Sequence, residues 1–154
     1  MILSRKGQIA IEYIIFIAIF LLFFQAMVKP SIDFAEYVIN DVQSVAVTQE
    51  NTSKLANNIS SFASSMGTGR VTMNFYLPKT ATLIGCNSNE IVYEVQISNI
   101  KPTPISCDVN NICKFQKDIF IGGNTIYCET IGPGFTGVLV IEKSDTGDFN
   151  VSIQ

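Results

Sequence analysis

The chain of 154 residues is 47% hydrophobic and 15% charged, with a formal net charge of −3 and neither histidine nor tryptophan. Its length holds one ordinary domain plus an appendage. The absent histidine removes the commonest metal ligand and general acid/base, and no basic patch exists to neutralise phosphates, so His-centred catalysis, metal sites and nucleic-acid binding find no support.

The chain opens on a basic leader, Ser4-Arg5-Lys6-Gly7, that runs into Gln8-Ile9-Ala10-Ile11-Glu12 and then an unbroken apolar run from Tyr13 to Phe24. A secretory signal carries its small-residue cleavage site after the apolar core. Here the one cuttable position, Gly7-Gln8, precedes it, so cleavage removes residues 1–7 and leaves the apolar segment on the mature protein. Residues 8–28 span about 30 Å as a helix, enough to cross a bilayer. Arg5 and Lys6 place the N-terminus in the cytoplasm. Pro30, after Lys29, predicts a kink near residue 30 rather than a stop.

The spacing predicts that the helix resumes and reaches Met66. Ala35, Val38, Val42, Val45, Leu55, Ile59, Phe62 and Met66 recur at threes, fours or their sums, with Gln49 and Thr52 filling the missing turns. Asp33, Asp41, Asn51, Lys54 and Asn58 fall mostly off this stripe, Glu50 to Lys54 is a favourable i,i+4 pair, and Gly67 supplies a C-cap. A helix over 8–66 is about 85–90 Å long. Its first half is apolar all round and needs lipid or protein around it; its second half has one stripe to lay against a sheet.

Residues 67–154 change character. Strand-like segments are 70–77, 90–97 (ending near Pro102 and Pro104), 112–121, 125–130, 135–142 and 149–153, punctuated by turns at 122–124, 132–134 and 145–148. They predict an antiparallel sheet or small sandwich, and with the helix an α+β fold. All four cysteines lie here. An even count outside the cytoplasm predicts two disulfides with three possible connectivities. The short turn 108–112 favours Cys107–Cys113, leaving Cys86–Cys128. A four-cysteine zinc site lacks any Cys-x-x-Cys pair. Asn51-Thr52-Ser53, Asn58-Ile59-Ser60 and Asn150-Val151-Ser152 are glycosylation sequons. Asn51 and Asn58 are seven apart on the helix and point the same way, so a modified face there must be outward. Asp145 and Asp148 flank Gly147 in a turn that lacks the spacing and closing Glu of an EF-hand. No catalytic triad and no phosphate-cradling loop is present, so no enzyme and no cofactor is expected.

The stretch Lys6-Gly7-Gln8-Ile9-Ala10-Ile11-Glu12-Tyr13 resembles the class III signal of archaeal type IV pilins, with Ala10 where that pattern favours Ser. The resemblance covers about the first 28 residues; the long helix and β-rich head agree with the pilin-like architecture in general terms. It implies that a membrane prepilin peptidase cuts between Gly7 and Gln8. It further implies that the mature helices leave the membrane, through an assembly ATPase and a membrane platform protein, and bundle into a helical filament with heads outward. Glu12 becomes the fifth mature residue, as the family pattern requires. A charge in an apolar span costs about 2.5–3.5 kcal/mol on insertion scales. Pairing with the new α-amino group of a neighbouring subunit offsets that cost and favours one axial register. Tyr13, Phe16, Phe20, Phe23 and Phe24 are the bulk of the same surface, facing lipid or the filament core. The expected function is a structural subunit of an extracellular pilus serving adhesion, a single-pass membrane protein before assembly. The alternative is a membrane-anchored surface module whose β-rich domain binds a partner.

Overall fold

The computed structural model describes residues 5–65, 67–87, 89–98, 107–108 and 110–154. One α-helix is followed by seven strands: α1 (Arg5–Ser64), β1 (Gly69–Tyr76), β2 (Ala81–Asn87), β3 (Glu90–Gln96), β4 (Ile112–Asp118), β5 (Ile126–Cys128), β6 (Thr136–Lys143) and β7 (Phe149–Ile153). Two compact units divide the chain, the first ending at Ile39 and the second running Asn40–Gln154. The second half of α1 therefore belongs to the same unit as the strands.

In the first unit α1 continues through Pro30. Proline has no amide to offer the Ala26 carbonyl. One residue on, the Ser31 hydroxyl donates to the Met27 carbonyl at 3.0 Å, adding a bond where the ladder is thinned.

In the second unit the helix packs on two sheets, β1-β6-β7-β5 and β2-β3-β4. Every pairing is antiparallel except β5 with β7, which is parallel. The sheets meet where Leu83 bridges Ile131 and where the Cys86–Cys128 disulfide ties β2 to β5. A single apolar core gathers Leu55, Ala56 and Ile59 of the helix with Phe75, Leu83, Ile91, Val95, Leu139, Ile141, Phe149 and Val151 of both sheets. Alternation along β3 supplies one inward row, with Ile91, Tyr93 and Val95 buried and the residues between them not, whereas β6 buries Leu139, Val140 and Ile141 in succession.

The expected helical stripe holds at Val45, Thr52, Leu55, Ile59 and Phe62 and departs at Val42 and Gln49. The buried residues of the helix are Asp41, Thr48, Thr52, Leu55, Ala56 and Ile59, whereas Val42 is 62% exposed and Gln49 is exposed. Counting back from Leu55 by three and seven reaches Thr52 and Thr48, and a helix turning about 100° per residue brings those to one face. Gln49, six back, faces away. Thr48 tolerates burial because its hydroxyl donates to the Ser44 carbonyl at 2.7 Å. Met66, the expected last member of the stripe, lies outside the described residues, as do Pro102 and Pro104. The helix ends at Ser64, short of the expected 66, so Gly67, at φ +118°, lies beyond the cap expected of it.

Strand β2 is absent from the sequence reading. Gly85 interrupts its apolar run, and the register against β3 shifts between Leu83 and Gly85, the bulge that an isolated strand glycine marks. The ladder of β4 stops at Asp118, short of the expected 121. Ile119 and Ile121 nevertheless stay buried, and the Phe120 amide donates to Ser60 Oγ at 3.1 Å.

Candidate functional site, the uncovered helix surface

In α1 every large apolar side chain from Ile9 to Phe24 is exposed, Ile17 least at 42% and Tyr13 and Phe16 most at 67%. Phe20 and Phe24 are 57% and 49% exposed. Nothing in a soluble fold leaves so long an apolar surface in water. The stretch is long and apolar enough to cross a membrane. Glu12 is its one acidic residue before Lys29, is exposed, and has no ion-pair partner among the described residues. Gly7 and Gln8 lie in the same helix by their backbone.

The apolar surface does not end with the span. Ile32, Phe34, Tyr37 and Ile39 are 58%, 59%, 54% and 64% exposed. Ala35 is exposed too, and Val38 is half-buried. Sequence reasoning placed Ala35, Val38 and Val42 on the face toward the head. The off-stripe Ile32, Phe34, Tyr37 and Ile39, already visible in the sequence beside the exposed Asp33 and Glu36, mark apolar side chains outside any single stripe past Pro30.

Two residues that position the helix in the second unit escaped the sequence reading. The Asp41 carboxylate accepts the Ser98 amide at 2.8 Å and its hydroxyl at 3.1 Å. Lys143 of β6 donates through Nζ to the carbonyls of Ala63 at 3.4 Å and Ser65 at 2.8 Å. No basic residue stands in the last helical turn itself, so a cation from the sheet serves the negative end of the helix. Its contribution is legible only in three dimensions.

The cysteines pair as Cys86–Cys128 and Cys107–Cys113, the connectivity that the short turn favoured. The three sequon asparagines differ in surroundings. Asn51 Nδ2 donates to the Tyr76 carbonyl at 2.9 Å, and Asn58 Nδ2 contacts Met73 Sδ at 3.4 Å. Both therefore face strand β1, the same way, as their spacing requires. Asn150 is exposed on β7.

The turn at 145–148 is a hairpin connection in which the Ser144 amide donates to the Asp148 carbonyl at 2.9 Å. The Asp148 carboxylate accepts the Thr125 hydroxyl, the Thr146 hydroxyl at 2.8 Å and the Thr125 amide at 3.2 Å. Those hydrogen bonds, the Thr125 hydroxyl foremost, hold its carboxyl below the usual range. Among the described residues no group of three His, Cys, Asp or Glu is placed to hold a metal ion. No protein-family model, curated protein or solved structure matches the chain.

Proposed function

We propose that this protein is the structural subunit of an extracellular filament of the type IV pilus kind, assembled through α1 and serving adhesion. The observation that carries the reading is apolar exposure on both sides of Lys29-Pro30. Lipid about 30 Å thick accounts for residues 8–28 and no more. An anchor has no use for the uncovered Ile32, Phe34, Tyr37 and Ile39 beyond it. A helix that packs along copies of itself buries both stretches.

In this reading a prepilin peptidase cuts between Gly7 and Gln8. The new α-amino group of one subunit meets Glu12 of another, and Tyr13, Phe16, Phe20 and Phe24 fill the space between helices. Moving an apolar helix from lipid to other apolar helices gains little hydrophobic free energy. Assembly therefore draws on an ATPase and a membrane platform protein.

Intact-mass measurement of filaments sheared from cells, with and without reductant, tests the proposal. A chain that begins at Gln8 and gains about four mass units on reduction, the hydrogens of two disulfides, is expected. Recovery only in the membrane fraction, with residues 1–7 still attached, overturns it in favour of a membrane-anchored surface module.

A further inference from the structure

The three sequons are equivalent as text and unequal in the fold. An N-linked acceptor must offer its amide together with the hydroxyl two residues on. In a helix, residues i and i+2 point about 200° apart. Asn51 and Ser53, and likewise Asn58 and Ser60, thus stand on opposite sides of α1. Three of these four groups are also engaged or flanked: Asn51 Nδ2 by the Tyr76 carbonyl, Asn58 Nδ2 by Met73 Sδ, and Ser60 Oγ by the Phe120 amide. In a strand, residues i and i+2 share a face. On β7 the core takes Phe149 and Val151, at 0% and 1% exposure. Asn150 and Ser152 consequently look out together from the opposite face of the sheet. Neither Asn150 Nδ2 nor Ser152 Oγ is held in a hydrogen bond among the described residues.

The space above Asn150 suits a sugar. The register aligns Arg70, Glu142, Asn150 and Tyr127 in one row across the four strands, and these four residues help line an open depression of about 440 Å³. Tyr127 is 66% exposed and lies one strand spacing, about 4.8 Å, from Asn150. An exposed aromatic beside the acceptor offers the apolar face on which a pyranose ring stacks, and among the described residues no aromatic or cation contact engages that ring.

We propose that Asn150 is the residue of this chain that carries an N-linked glycan, with Tyr127 as the platform for its first sugar. The donor class is a lipid-linked oligosaccharide. The Asn150 Nδ2–C1 bond forms as the bond from sugar C1 to the lipid phosphate oxygen breaks. The phosphate leaves with the electron pair, and the amide proton passes to solvent. The inference rests on the extracytoplasmic head of the proposed function.

Glycopeptide mass spectrometry of the native protein from its own cells tests it. A glycan is expected on the peptide containing Asn150 and none on those containing Asn51 or Asn58. Ser152→Ala abolishes it and Ser152→Thr keeps it, while Asn51→Gln and Asn58→Gln leave it unchanged. A bare Asn150, or a glycan confined to the helix, overturns the inference. The filament reading stands or falls separately, on whether the same chains begin at Gln8 and are recovered in sheared fibres.

Discussion

Asp41 is 8% exposed, and both groups it accepts from belong to Ser98, 57 residues away in the chain. Hydrogen bonds to a charged acceptor are each worth about 1.5–3 kcal/mol, and removing one partner leaves the other unsatisfied. Asp41→Ala is therefore expected to destabilise the second unit by about 2–3 kcal/mol in denaturant unfolding, and Asp41→Asn by less. Asp148 makes a different prediction. Its folded pKa is lowered by Thr125 and Thr146, so the stability it contributes is present above the ordinary carboxylate value of about 3.9 and is lost as pH falls through the lower folded value. The amide resonance of Thr125 is expected to titrate with a midpoint below 3.9; a midpoint at or above it contradicts the assignment. The hairpin turn holding Asp148 was legible from Asp145-Thr146-Gly147-Asp148, whereas its grip on Thr125 was not. Likewise Asp41 read as lying off the apolar stripe because its partner is remote in sequence. A carboxylate's role depends on which backbone amides the fold delivers to it, and spacing along one segment carries no information about that.

At the scale of elements, the half of α1 that packs on the sheets depends on a narrow stripe. Ile59 is fully buried and Phe62 meets Phe149 edge-on at 6.0 Å between centroids. Ile59→Ala is expected to cost about 2–5 kcal/mol, read as a lowered denaturant midpoint with unchanged slope. The two disulfides close loops of different size, with sequence separations of 42 and 6. Loop-closure entropy assigns about 4 kcal/mol to Cys86–Cys128 and about 2 kcal/mol to Cys107–Cys113. Replacing Cys86 and Cys128 together by Ser should lower stability more than replacing Cys107 and Cys113, and the reverse order would show that strand pairing, not loop closure, dominates. The pair Glu50–Lys54, at 2.7 Å but exposed on both sides, is screened by solvent and adds little to the stability of the helix. Six of the seven strands were visible as β-branched and aromatic runs between turns. β2 was hidden because Gly85 and its bulge break the alternation. The parallel pairing of β5 with β7 was equally invisible, since a three-residue strand has no pattern long enough to declare a direction.

For the molecule as a whole, the question is what covers the exposed surface of α1. Phe34 and Ile39 make no part of the core, so Phe34→Asp and Ile39→Asp are expected to leave unfolding stability within about 0.5 kcal/mol. If copies of the helix cover that surface, the same changes abolish recovery of sheared filaments while the processed chain accumulates in the membrane. Normal filaments from both variants would remove the argument from residues 32–39. The overall plan is legible in the amino-acid sequence by itself: a helix too long and too apolar to serve a small head, then a cysteine-bearing β-rich domain. Periodicity and composition act locally, and an uncovered apolar helix announces itself wherever it stands in a chain. Tertiary structure alone decided which face of residues 41–63 is buried, that the Cys86–Cys128 bridge joins the two sheets, and that Lys143 closes the helix from another element. It also separated three identical sequon patterns, because a strand turns Asn150 and Ser152 to one side and a helix turns Asn51 from Ser53. These outcomes depend on where the backbone carries distant groups, and that is set by packing the whole core at once.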